Sequence, residues 1–128
     1  QIGRVYDKRK GFEDSALLYF RRSLVLKYDQ EYCRERIAYI LMGRDKNNSE
    51  PLELFTATMQ ESPFAWRSYY NIACYYGNRG EAERSAASLE KALQLGLKSR
   101  NLVMEEPYFM AVKDAAVFQA LLSKHFSQ

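Results

Sequence analysis

A chain of 128 residues is long enough to bury one hydrophobic core, and a formal net charge of +3 is too small to indicate nucleic-acid binding by itself. Hydrophobic residues make up 47% of the chain and charged residues 27%, which excludes an intrinsically disordered chain. The longest apolar run, at residues 37–42, is too short for a membrane span or a signal peptide.

Cysteine and histidine are scarce. Two cysteines, Cys33 and Cys74, are too few for a small secreted domain held together by disulfides. Together with His125, the single histidine, they offer no Cys/His metal site, and we expect no metal or other cofactor. The low cysteine count favours a reducing, cytoplasmic compartment. A periplasmic domain whose leader was removed is the alternative.

The predicted elements are helices joined by turns that contain glycine or short polar residues. Gly11, a polar run that ends at Asn48-Ser49, and Gly80 are each expected to separate the two helices of a pair. Asn48 or Ser49 is expected to cap the following helix, and Gly96 to end the last one in a left-handed conformation. The predicted helices span residues 1–9, 12–28, 31–44, 50–61, 66–78 and 81–95.

An apolar pattern repeats along the chain with a period of 35 residues. Each copy has a large residue, a small residue directly after it and a second large residue four positions from the first, so that all three lie on one helix face. The copies are Ile2-Gly3-Tyr6, Ile37-Ala38-Leu41 and Ile72-Ala73-Tyr76. This period predicts stacked helix pairs, because a single pair cannot bury its own apolar face.

A second pattern repeats in the other helix of each predicted pair. It consists of a small or helix-starting residue, a large residue, a small residue and a residue that closes the helix. The copies are Ala16, Phe20, Ser23 and Tyr28; Pro51, Phe55, Thr58 and Pro63; and Ser85, Leu89, Ala92 and Leu97. We expect the small members where paired helices cross and the large members in the gaps between pairs.

The stretch from Tyr69 to Leu93 resembles a tetratricopeptide repeat. An aromatic residue stands three positions before Ile72-Ala73, and Tyr76 and Gly80 follow at the positions that the family favours. The resemblance implies an all-α fold that forms a right-handed superhelix of antiparallel helix pairs, an α-solenoid. The preceding repeat departs from the family pattern at Arg34, where an aromatic residue is usual.

The tail resembles the closing segment of bacterial tetratricopeptide arrays. In these arrays an acidic-Pro-x-apolar step, here Glu106-Pro107-Tyr108-Phe109, precedes a short helix with an F-x-x-L-L core. The resemblance implies that Phe118, Leu121 and Leu122 dock inward as a cap. The single domain 1–128 is then divided into a truncated repeat 1–30, repeats 31–65 and 66–99, and a cap 100–128. Because residue 1 falls inside the first predicted helix, we expect the chain to be a module of a longer protein.

In the tetratricopeptide family the first helices of successive pairs line a concave groove that binds the partner. The resemblance assigns ten residues to this groove: Arg4, Lys8, Tyr32, Glu35, Tyr39, Met42, Arg67, Tyr70, Cys74 and Asn78. This aromatic and basic set suits a peptide or protein segment with apolar anchors and a carboxylate. The alternative interpretation is that Tyr32, Tyr39 and Tyr70 are half-buried packing residues.

One known pocket of the family is not expected here. Some tetratricopeptide domains bind the terminal carboxylate of chaperone tails with a Lys/Asn/Asn/Lys/Arg set. In this chain Arg4 and Arg36 stand at the asparagine positions and Asn71 stands at the arginine position. Only Arg67 keeps the charge of the set, and we therefore expect a different protein or peptide partner.

The sequence predicts a binding domain and not an enzyme. His125 lies at the end of the last predicted helix, where it suits the helix dipole, and no phosphate-binding loop or nucleophile motif is found. Two other functions remain open. Arginines beside tyrosines would also suit nucleic acid, and the open edge of the truncated first repeat would allow self-association.

Overall fold

The computed structural model describes the backbone of residues 2–27 and 29–126, and the side chains of residues 11–27 and 29–126. Within these ranges the chain is all-α, as predicted, with seven α-helices, one 3₁₀ turn and no strand. The helices are α1 (Ile2–Val25), α2 (Gln30–Arg44), α3 (Glu50–Glu61), α4 (Trp66–Asn78), α5 (Ala82–Gln94), α6 (Arg100–Met104) and α7 (Ala116–Phe126). The 3₁₀ turn spans Pro107–Phe109, between α6 and α7.

The prediction of a turn at Gly11 is wrong. Helix α1 runs without interruption from Ile2 to Val25, so that the two helices predicted at 1–9 and 12–28 are one. A glycine inside a helix costs only about 0.5–1 kcal/mol relative to alanine, and no proline accompanies Gly11 to stop the helix. Gly3, Arg4 and Lys8 lie outside the residues whose side chains are described.

The other turn predictions are confirmed. Helices α3 and α4 have the predicted bounds, α2 begins one residue earlier than predicted, and α5 is one residue shorter at each end. Gly80 and Gly96 both have positive φ, at 78° and 125°. The cap before α3 is Asn48, whose Oδ1 accepts a hydrogen bond from the backbone N–H of Glu50 at 2.9 Å.

Small residues lie where consecutive helices pack most closely. Ala38, Ala73 and Ala92 are completely buried, and of the large residues of the pattern Phe55 is 2% and Leu89 0% exposed, whereas Phe20 and Tyr76 are half-buried. The small residues let the helix backbones approach each other, while the large ones fill the gaps beside them. The repeated columns of the sequence are therefore the core of the α2–α5 region.

Arg34 has a structural role that explains its departure from the aromatic pattern. Its side chain is only 11% exposed, and its guanidinium pairs with the Glu61 carboxylate through two hydrogen bonds of 2.7 Å. A third contact, at 3.4 Å, reaches the hydroxyl of Thr58. The charged end of Arg34 thus joins α2 to the end of α3.

The C-terminal segment packs as predicted. Phe118 is 1% exposed, Leu121 7% and Leu122 8%, so the apolar side of α7 faces the core. Phe109, in the 3₁₀ turn, is 1% exposed and contacts the ring of Phe118. In the part of the chain described by the structure, no helix combines the length and the apolar character that crossing a membrane requires.

Two glycine substitutions test the continuity of α1. A Cβ at Gly11 would meet no atom within 4 Å, so Gly11→Ala should stabilise the chain by about 0.5–1 kcal/mol. Gly80 has φ of 78°, and Gly80→Ala should destabilise it by about 1–2 kcal/mol. Urea unfolding measures both changes. If Gly11→Ala destabilised the chain as much as Gly80→Ala does, residue 11 would lie in a turn.

Candidate partner-binding surface

Helices α2 and α4 carry the described residues of the predicted groove. Tyr32, Glu35, Tyr39 and Met42 lie on α2, and Arg67, Tyr70, Cys74 and Asn78 lie on α4. The structure joins the two sets through side-chain hydrogen bonds, which include one from the Asn78 amide to the backbone carbonyl of Met42 at 3.3 Å. The remaining two members of the set, Arg4 and Lys8, lie outside the described side chains.

Glu35 is the centre of a polar network between α2 and α4. Its carboxylate accepts hydrogen bonds from Arg67 Nε at 2.8 Å and from Arg67 Nη2 at 3.0 Å, and a third from Asn71 Nδ2 at 2.9 Å. The amide oxygen of Asn71 in turn accepts a hydrogen bond from the Tyr39 hydroxyl at 2.5 Å. The Glu35 side chain is only 14% exposed. A carboxylate so well supplied with donors fixes the spacing of the two helices.

The C-terminal segment covers part of this face. The Tyr70 hydroxyl donates a hydrogen bond to Glu106 Oε1 at 2.5 Å, and the ring of Tyr108 lies 5.6 Å from the ring of Tyr39, between centroids. The Tyr70 ring also meets Phe109 edge to face at 5.7 Å. The segment from Glu106 to Phe109 thus lies on residues of the predicted groove, so that part of this face is occupied by the chain itself.

Gly77 permits this close approach. A Cβ at residue 77 would lie 2.5 Å from the backbone oxygen of Tyr108 and 3.1 Å from the Phe109 ring. No side chain larger than hydrogen fits between α4 and the 3₁₀ turn unless one of them moves. The family resemblance did not single out Gly77. Only the packing shows that a glycine is required at this position.

Cys74 is a buried hydrogen-bonding group. Its side chain is completely buried, and burial raises the pKa of the thiol well above its usual value, with the nearby Glu106 carboxylate adding to the effect. The pKa values of Tyr39 and Tyr70 are also raised, mainly by burial. All three groups keep their protons at neutral pH. Cys74 is therefore not an activated thiolate.

Only part of the predicted groove is open to a partner. Met42 and Tyr70 are 4% and 5% exposed, whereas Tyr32 is 50% exposed and the Arg67 side chain 58%. Arg36, on α2 one turn after Tyr32, is exposed as well. Burial raises the pKa of Tyr108, and the charge of Arg36 acts against this larger effect. We define the open strip as Tyr32, Arg36 and Arg67.

Four members of the site were absent from the predicted set, and one of them is Arg36 of the open strip. Asn71 links Tyr39 to Glu35, while Glu106 and Tyr108 supply the contacts of the covering segment. The sequence indicated Glu106 only as the acidic residue before Pro107. In the structure it caps the 3₁₀ turn, because its carboxylate accepts a hydrogen bond from the Tyr108 backbone N–H at 3.4 Å. Its second role, as the acceptor for Tyr70, depends on how the turn packs on α4.

No family model, no curated protein and no solved structure matches this chain. Among the described residues, no group of three or more His, Cys, Asp or Glu side chains is arranged to hold a metal ion. The geometry of the α2–α4 face and its covering segment is therefore the basis for assigning a function.

Substitution of Gly77 tests the docking of the covering segment. Gly77→Ala should destabilise the chain by about 1–3 kcal/mol, because the added methyl group overlaps the Tyr108 carbonyl. Amide hydrogen exchange should accelerate at Phe109 and Val112, whose N–H groups are bonded within the segment. Gly43→Ala is the matched control, since a Cβ at this helical glycine meets nothing within 4 Å. Equal exchange in the two variants would contradict the close approach.

Proposed function

We propose that this chain is a helical-repeat interaction scaffold of the tetratricopeptide type, which binds a segment of another protein on the α2–α4 face. Two successive helix pairs, α2–α3 and α4–α5, support the proposal because they bury equivalent small and large residues. Ala38 and Ala73, which are 35 residues apart in the sequence, are both completely buried. Repetition of one packing unit in this way is typical of solenoid proteins, whose main use is to bind other chains.

The single observation that carries the proposal is the intramolecular occupant of this face. The segment Glu106-Pro107-Tyr108 places a carboxylate on the Tyr70 hydroxyl and an aromatic ring against Tyr39. A carboxylate with an aromatic anchor is also the ligand chemistry that the sequence predicted for the groove. The face therefore already binds a chain segment of this kind, in cis.

A partner in trans would bind next to the covering segment, on the open strip. Arg36 is exposed and supplies the positive charge for a carboxylate, and Tyr32 supplies an aromatic surface. Arg67 contributes less charge, because its guanidinium is already paired with Glu35. The preferred ligand is a short acidic peptide segment with an aromatic or large apolar residue.

Peptide selection tests this function. Random peptides displayed on phage would be selected on the 128-residue chain, and the best of them synthesised and titrated by fluorescence polarisation. We expect a consensus that combines a carboxylate with an aromatic residue. Arg36→Ala and Tyr32→Ala should each weaken binding by about tenfold or more, as removal of an interface anchor does.

Arg84→Ala provides the matched control. The Arg84 side chain is 69% exposed on α5, so its removal changes the net charge by the same amount at a different surface. If Arg84→Ala weakened binding as much as Arg36→Ala, or if no peptide were enriched, the proposal would fail. A single-stranded RNA that bound more tightly than the peptides, with a steep loss of affinity as salt increases, would instead indicate a nucleic-acid function.

A further inference from the structure

Half of the strongly exposed large hydrophobic residues in the described part of the chain lie on or directly after α1. Phe12 is 82% exposed, Leu18 54%, Tyr19 65%, Val25 80% and Leu26 67%. The other five such residues are scattered over residues 32–117. A concentration of this kind on one helix is unusual for a surface that faces only water.

The five residues form two neighbouring rows on the outward side of α1, about 100° apart around the helix, with Ser15 and Arg22 between them, and together they make one stripe. Phe12, Tyr19 and Leu26 are seven residues apart in sequence, and so are Leu18 and Val25. A spacing of seven is two helical turns, and it keeps side chains on one side of a helix, as in the seam of a coiled coil. The stripe, which we call the α1 stripe, is about 21 Å long at 1.5 Å per residue.

The α1 stripe is separate from the side of α1 that packs on the rest of the chain. Leu17 and Leu24 are half-buried, and the ring of Phe20 contacts the ring of Tyr32 at 5.8 Å. Ion pairs from Arg44 to Asp14 and from Arg21 to Glu50 also hold α1 against its neighbours. The inner side of α1 is therefore already occupied, and the stripe faces outward.

We propose that the α1 stripe binds the α1 stripe of a second copy of this chain. Five side chains that expose 54–82% of their surface offer roughly 600 Å² per copy, if each has about 150–250 Å² in total. Two copies then bury at most about 1,200 Å², which is the lower end of the range for stable specific interfaces. A second copy supplies an equally apolar surface of equal length, and a symmetric contact of this kind forms a closed dimer.

The charges on α1 favour an antiparallel arrangement. In a parallel pair Arg22 would lie beside Arg22 of the second copy, and such a contact between like charges is unfavourable. In an antiparallel pair centred between Leu18 and Tyr19, Arg22 faces the small residue Ser15 instead. Phe12 then packs against Val25 and Leu26 of the second copy, so that both ends of the stripe are covered.

Sedimentation velocity tests the dimer. We expect the 128-residue chain to shift toward twice its 15.0 kDa mass as its concentration rises from roughly 1 µM to roughly 500 µM. Tyr19→Glu places a charge at the centre of the stripe and should weaken association at least tenfold. Phe64→Glu is the matched control, since Phe64 is 84% exposed between α3 and α4, and it should leave the dimer unchanged.

Three outcomes would overturn the proposal: a monomer at every concentration, a dimer that persists in Tyr19→Glu, or a dimer lost equally in Phe64→Glu. A persistent monomer would point to an occupant other than a second copy. Circular dichroism of both variants checks that the fold is intact. We expect it to be intact, because Tyr19 and Phe64 are both exposed. The dimer is independent of peptide binding, because Tyr19→Glu leaves Arg36 and the open strip unchanged.

Cysteine cross-linking tests the orientation. The native Cys33 and Cys74 are at most 3% exposed, so an added surface cysteine reports on the interface. In the antiparallel dimer Tyr19→Cys should form an intermolecular disulfide under mild oxidation. Phe12→Cys should not, because the two copies of residue 12 lie about 20 Å apart along the helices. Efficient cross-linking through Phe12→Cys would overturn the antiparallel arrangement.

Discussion

The structure depends on the close approach of other segments to α4. Eight of the thirteen residues of this helix are buried, because neighbours lie against it on several sides. Toward α5, Ala73 is small enough for the Ser85 hydroxyl to donate a hydrogen bond to its carbonyl at 2.8 Å. Toward the C-terminal segment, Gly77 has no Cβ, and the Tyr108 carbonyl therefore approaches α4 more closely than any other residue at this position would allow. Larger residues at these two positions would separate the second helix pair and displace the segment that covers it.

This packing also determines which part of the α2–α4 face can act as a site. Because the 3₁₀ turn lies so close to α4, Glu106 reaches Tyr70 and encloses Cys74, and these residues become part of the interior. At the other end of the face the Glu35–Arg67 ion pair joins α2 to α4 without covering them. The same face is therefore closed at its C-terminal end by packing and open at its N-terminal end. Arg36 lies one turn after Tyr32 on α2, and its charge can attract a ligand because no carboxylate neutralises it among the described contacts.

Regular features were predictable from the sequence, and features that depend on contact between distant segments were not. The bounds of α3 and α4, the positive φ of Gly80 and the burial of Ala38 and Ala73 follow from local turn signals and from the 35-residue period. The occupation of the predicted groove did not follow, because nothing local to residues 104–109 specifies where the turn docks. The function of Arg34 was hidden for a related reason. Its partner Glu61 is 27 residues away in the sequence, and only the helix pairing brings them together.

The error at Gly11 and the exposure of the α1 stripe have one physical origin. The apolar residues from Phe12 to Leu26 are spaced like those of the second helix of a repeat, which packs against a first helix. The sequence predicted that residues 1–9 form this first helix. In the structure residues 2–9 belong to α1 itself, since the helix continues through Gly11. The continuous helix therefore packs its inner side on α2 and leaves the α1 stripe exposed among the described residues. In the predicted helical hairpin the first helix would bury the α1 stripe within one chain. Without that hairpin, the stripe is available to a helix of a second copy. The pattern that predicted a repeat is then also the pattern that favours association.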